Sequence, residues 1–241
     1  MKRIPLTIPF VITAALLTCG PRAVTKAQQQ SKSASDVELR FVSPIKGWAV
    51  VEDALQDYEI GTDSLVRHGG KASAFARSKA AVTTARAVAL RQVIKADPFR
   101  GQRVRLSGWL KVEKVEEWAG LWLRIDGEQG VRLSLDNMRH RRVKGTTDWR
   151  HYELVLDVPE NAIAVSFGLV LAGKGQAWMD DLRLDKVARE VATTETHGRS
   201  QPRPDDAEYN RRREAFARRL LEELKTGPSQ PINLDFETPE Q

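Results

Sequence analysis

Two indoles, a guanidinium and a carboxylate share the even positions of one short stretch, Trp118-Ala119-Gly120-Leu121-Trp122-Leu123-Arg124-Ile125-Asp126. Successive side chains of an extended strand point to opposite faces, so Ala119, Leu121, Leu123 and Ile125 form an aliphatic face for burial. Trp118, Trp122, Arg124 and Asp126 form the other. Indoles stack on sugar rings and other flat ligands, and a neighbouring Arg or Asp fixes orientation by hydrogen bonds. This is binding chemistry rather than catalysis. Asn137 adds a candidate rim contact, because Asp136-Asn137-Met138 opens a loop whose Arg139, Arg141, Arg142 and Lys144 suit a carboxylate or phosphate. A competing expectation is that a loop or the carboxy-terminal helix covers these indoles.

Other chemistries are poorly represented. Cys19 is the single cysteine, which leaves no internal disulfide, thiolate zinc site or redox pair. His68, His140, His151 and His197 lack metal-ligand spacing. No Gly-x-Ser-x-Gly elbow, phosphate loop or His-Glu-x-x-His helix occurs, and no carboxylate pair, Asp126 with Asp136 included, is marked by a motif for glycoside hydrolysis. The chain therefore reads as no enzyme, with a hydrolase as the third-ranked class. Trp109 joins the ligand face if its strand neighbours that of Trp118. Trp48, Trp149 and Trp178 adjoin turns or strand ends and are expected to pack.

Short alternating runs position these residues. Candidate strands include 71–77, 86–95, 103–112, 118–126, 131–136, 149–158, 163–171 and 176–186, separated by His68-Gly69-Gly70, Asp97-Pro98, Asp126-Gly127, Gly145 and Gly173-Lys174-Gly175. The spacing predicts an all-β domain over 36–187, a two-sheet β-sandwich. A linker follows over 188–204. An amphipathic helix over 205–225 puts Tyr209, Phe216, Leu220 and Leu224 on one stripe, and the tail is 226–241. Arg211, Arg212, Arg213, Arg218 and Arg219 offer an anionic partner a surface, but Glu214, Glu222 and Glu223 neutralise most of it, so nucleic acid is not the expected partner.

At the amino end, Lys2 and Arg3 precede an apolar run from Ile4 to Leu17, too short and too broken by Pro5 and Pro9 to span a membrane. Residues 1–27 read as a signal peptide. Leu16-Leu17-Thr18-Cys19-Gly20 resembles a bacterial lipoprotein box, in which Cys19 is lipidated; ordinary cleavage after Ala27 is the alternative. Residues 28–35 form a polar tether. The formal net charge is +6, and Lys2, Arg3, Arg22 and Lys26 lie in the segment to be removed. The expected location is outside the cytoplasm, as a secreted, periplasmic or membrane-anchored protein whose only membrane contact is a lipid on Cys19.

From Arg67 to Leu184 the elements Val66-Arg67-His68-Gly69-Gly70, Val104-Arg105-Leu106-Ser107-Gly108-Trp109, Trp118–Trp122, Gly145-Thr146-Thr147-Asp148-Trp149 and Trp178-Met179-Asp180-Asp181 resemble the galactose-binding-like jelly roll of bacterial carbohydrate-binding modules. The resemblance implies a jelly-roll fold and a carbohydrate or envelope component as partner. It also implies a structural calcium, held by a Glu of an opening Asn-Leu-x-Phe-Glu and by Asp180 or Asp181. Here Val42 stands at that Glu position, which weakens the site. Asn233-Leu234-Asp235-Phe236-Glu237 carries the missing motif at the other end, either as the remnant of a lost repeat or as a strand that packs back onto the sandwich. Together these features predict an exported, non-catalytic module that binds carbohydrate or a similar polar ligand. A structural or protein-interaction module of the envelope is the alternative.

Overall fold

The computed structural model describes residues 40–82, 86–195, 200 and 206–238. The signal and lipidation expectations at Cys19, the 28–35 tether, His197 and much of the linker lie outside the described residues. The strands are β1 (Phe41–Ile45), β2 (Trp48–Val51), β3 (Tyr58–Asp63), β4 (Ser73–Ser78), β5 (Ala87–Lys95), β6 (Arg103–Gly127), β7 (Arg132–Asp136), β8 (Val143–Asp157), β9 (Ala162–Ala172) and β10 (Gln176–Val187), and the helix is α1 (Ala207–Thr226).

β6 organises the fold because it serves both layers. Its first half pairs with β10 and β8, and its second half, from Trp118, pairs with β9 and then β7. One layer therefore runs β3-β4-β10-β6-β8; the other runs β2-β5-β9-β6-β7, with β1 on β2. The expected break between strands 103–112 and 118–126 is absent. Residues 113–117 contain no Gly or Pro, Val115 is buried in the core, and the chain turns through a bulge in which Lys114 takes φ +52°. Gly145 likewise sits inside β8 at φ +72°, with open space where a Cβ would go, so it marks a bulge and not a turn.

Inner faces of both layers meet in one core that includes Leu106, Leu110 and Met179 from one side and Leu90, Leu121, Leu123, Ile125 and Phe167 from the other. The result is an all-β, two-sheet jelly-roll sandwich with a carboxy-terminal helix. The tail completes it. Ile232 exchanges hydrogen bonds with Gln92 of β5 (2.8 and 2.9 Å), and Leu234 O accepts from the Leu182 amide of β10 (3.0 Å), so the segment bridges the layers. Phe236 is buried against Trp48 (5.3 Å between ring centroids), and Glu237 accepts from the Lys71 and Ala72 amides. The motif does pack back onto the sandwich, but as an irregular segment and not as the expected strand.

Candidate functional site

The even positions of β6 from 118 onward do face away from the core, while Ala119, Leu121, Leu123 and Ile125 are fully buried. Cross-strand register sets their neighbours. Trp118 lies beside Ala172 and then Ala87, Gly120 beside Val170 and Ala89, and Trp122 beside Gly168 and Arg91. Ala87 and Ala89 are exposed, and Val170, Trp118 and Trp122 are half-buried. Small apolar side chains thus make a low platform with two indoles along one edge. Met138, from the turn after β7, folds over Gly120, where an added Cβ would stand 3.0 Å from the Met138 Cβ. The Trp122 Nε1 is buried with no hydrogen-bond partner among the described residues.

Further along the same face, α1 covers the sheet. Leu220 packs on Val93 and Ala164, and the Phe216 ring lies 4.6 Å from the Arg124 guanidinium carbon. Glu223 pairs with the buried Arg91 at 2.5 Å, and Arg91 in turn lies 3.8 Å over Phe41. The Asp206 carboxylate starts the helix by accepting from the Tyr209 amide (2.8 Å), and the apolar stripe then dictates which side faces the sheet.

This changes the place of two expected ligand contacts. Asp126 is 0% exposed, and Arg124 grips it through Nε (2.8 and 3.0 Å) and Nη2 (2.5 Å). Burial pushes the Asp126 carboxyl above the ordinary carboxylate value, against the pull of Arg124, Arg91 and Arg132. Arg124 and Asp126 therefore form an internal pair beneath α1, not an open surface. Asn137 is half-buried beside Met138, and its Oδ1 accepts from the Arg139 amide (3.1 Å), which closes the turn. Asp136 is buried, bound by Arg141 and by the Thr194 hydroxyl.

Asp180 and Asp181 lie in the other layer, away from the platform. Asp180 accepts from the amides of His68 (2.8 Å), Gly69 (3.1 Å) and Asp181 (2.8 Å), and Asp181 meets His68 Nδ1 at 2.7 Å. Amide N–H groups converge where a calcium ion would need bare oxygens, so these residues do not fit one. Among the described residues no group of three or more acidic, His or Cys side chains is placed to hold a metal. No residue pattern signals that His68 stacks on Trp109 (3.9 Å, 15°), with Trp149 and His151 edge-on nearby. Those rings satisfy one another and pin the loop before β4. Trp118 and Trp122, by contrast, have no ring partner among the described residues. The platform itself was also missed; its signal was the outward pair Ala87 and Ala89 in β5, too small to cover a sheet.

No family model matches the chain. A curated Bacillus subtilis protein, the uncharacterized HTH-type transcriptional regulator YbfP, is 39% identical over 150 residues, which cover 62% of this chain and 51% of that protein. This chain thus spans about half the length of the curated relative it matches. Among solved structures, the chain is similar to the enzymatically active domain of bacteriophage CBA120 tailspike protein 4 (TM-score 0.44, 14% identity, 58% of this chain and 19% of that one). It is also similar to the CBM22-1 xylan-binding domain of Paenibacillus barcinonensis Xyn10C (TM-score 0.41, 14% identity, 58% of this chain and 86% of that one).

Proposed function

We propose that the protein is a non-catalytic module that binds carbohydrate on the open platform of β5, β9 and β6. The observation that carries this is the pair of half-exposed indoles, Trp118 and Trp122, flanking a surface of Ala87, Ala89 and Val170 that α1 leaves uncovered. A pyranose ring needs a flat apolar floor and an aromatic wall, and both are present. Similarity to a protein named as a transcriptional regulator supports recognition over turnover, and a match of 150 residues must overlap the sandwich.

A glycan array probed with the mature protein tests the platform. Trp122→Ala is expected to weaken binding by about 2 kcal/mol, roughly thirtyfold, as for other buried aromatic anchors. Indifference of every bound glycan to Trp122→Ala and Trp118→Ala would remove the platform from the function.

Export belongs to the same proposal, supported by Lys2, Arg3 and the apolar run before Cys19. With lipidation at Cys19, the wild type fractionates with membranes and Cys19→Ser moves to the soluble fraction; unchanged membrane retention of the variant would argue against the anchor.

A further inference from the structure

The sheet face that carries the platform does not end at Trp122. After the open rows of Ala87 and Ala89, the register across β5, β9 and β6 continues with Arg91, Gly168 and Trp122, and then with Val93, Ser166 and Arg124. The helix α1 lies over this continuation and is held there lightly. Only Ala217 and Leu220 of its 20 residues are buried. Leu220 joins Val93 and Ala164 in a small cluster apart from the main core, and Ala217 rests on the turn at Gly130. Segments with few buried apolar contacts open locally before the whole fold does.

What α1 covers is polar and poorly satisfied. Ser166 is 2% exposed and lies between Val93, which meets Leu220, and Arg124, which meets Phe216. Its Oγ has no hydrogen-bond partner among the described residues. On the row before it, Arg91 reaches Glu223 of α1 through Nη2, but Arg91 Nε is buried without a partner, as is Trp122 Nε1. Two N–H donors and a hydroxyl on adjacent rows are thus closed off from water and from acceptors. A buried polar group with no partner destabilises the state that buries it.

We infer that α1 is a displaceable cover, and that a linear glycan longer than the open platform competes with it for the rows of Arg91 and Ser166. Sugar hydroxyls donate and accept at once, so they suit Arg91 Nε, Trp122 Nε1 and Ser166 Oγ where the apolar stripe of α1 does not. The pair of Arg91 and Glu223 is the latch, and ligand oxygens that replace the Glu223 carboxylate compensate the guanidinium for its loss. Positions 118 to 122 of β6 span roughly 13 Å and positions 118 to 126 roughly 26 Å, so opening doubles the face available to a chain. Beyond the helix, the Lys95 amide donates to Pro228 O (2.9 Å) and keeps the tail in place as α1 lifts. The glycan part rests on the platform proposed above; the opening of α1 does not.

Hydrogen–deuterium exchange of the full chain, read by mass spectrometry, tests the cover without any ligand. A lone helix of this length is marginal in water, so an undocked α1 loses its amide protection. Peptides from α1 are expected to exchange about tenfold faster or more than those from β6 and β9, and Leu220→Ser should speed α1 by about a further tenfold. Unchanged exchange of β6 and β9 in the variant shows that the sandwich stays folded. Protection of α1 equal to that of the strands, or unmoved by Leu220→Ser, overturns the cover. The second arm compares short and long members of linear gluco-, xylo-, manno- and galacto-oligosaccharide series on an array. A site open for a fraction of the time binds with an affinity reduced by that fraction. Leu220→Ser should therefore tighten long chains by the same factor that it speeds α1 exchange, and leave short ones unchanged. Glycans whose binding depends on Trp122 but is indifferent to Leu220→Ser overturn the competition and leave the platform standing. No glycan bound by either protein overturns the platform and the competition together, while the exchange rates still decide whether α1 opens.

Discussion

Phe236→Ala is expected to lower the stability of the sandwich by about 3–5 kcal/mol, the usual cost of removing a buried phenylalanine from a core. The ring is only 2% exposed although it lies close to the carboxy terminus, and it packs on Trp48, which itself contacts Phe167 at 5.7 Å. Truncation opens a cavity where β2, β9 and the tail meet. Relief by movement of the tail is limited, because Trp48 Nε1 donates to Asn233 O (2.9 Å) and the Leu182 amide to Leu234 O, fixing the backbone just before the ring. Urea unfolding followed by tryptophan fluorescence should show a lower midpoint with an unchanged slope. A loss below about 1 kcal/mol would mean that the tail decorates the fold instead of closing it.

That tail shows how far residue patterns carry and where they stop. Asn-Leu-Asp-Phe-Glu is visible as a motif at 233–237, but its destination depends on Gln92 and Leu182, which are distant in sequence and carry no matching signal. The aliphatic side of β6 was legible for a local reason: alternation at 119, 121, 123 and 125 has a single burial solution. Its outward side was legible in composition only. Whether Arg124 and Asp126 meet solvent is decided by Phe216 and Leu220, and a helical stripe announces that it will pack without saying on what. The same limit hid the stacking of His68 on Trp109, since a turn and a strand residue meet there only through the β4–β10–β6 order.

The helix has divided one sheet face into two chemistries. Toward Trp118 the outward positions are small and apolar; toward Asp126 they are charged and covered. Arg91 stands at the boundary, 7% exposed and tied to Glu223 on α1, so the edge of the platform is held by an ion pair and not by apolar packing alone. Exposed pairs add little stability, but one with a guanidinium this deeply buried fixes position, because separating it strands a cation away from water.

Asp126 is the charge on which the covered half depends, and its removal is the second large effect expected. Breaking a buried ion pair from one side commonly costs 3–5 kcal/mol. Asp126→Ala should fall near the lower end, about 3 kcal/mol, since Arg124 keeps 27% exposure and its contact with Phe216 and can turn toward water. Asp126→Asn keeps the shape and removes the titration. Because burial raises the folded carboxyl above its unfolded value, the folded state holds its proton longer, and this group's linkage lowers wild-type stability as pH rises from the unfolded carboxylate range through the folded pKa. Below that window both states are protonated and the linkage vanishes. The stability advantage of wild type over Asp126→Asn should accordingly shrink as pH rises across the window, measured by urea midpoints in parallel. An advantage that grows would show that the attraction of Arg124, Arg91 and Arg132 outweighs desolvation and holds the carboxylate ionised.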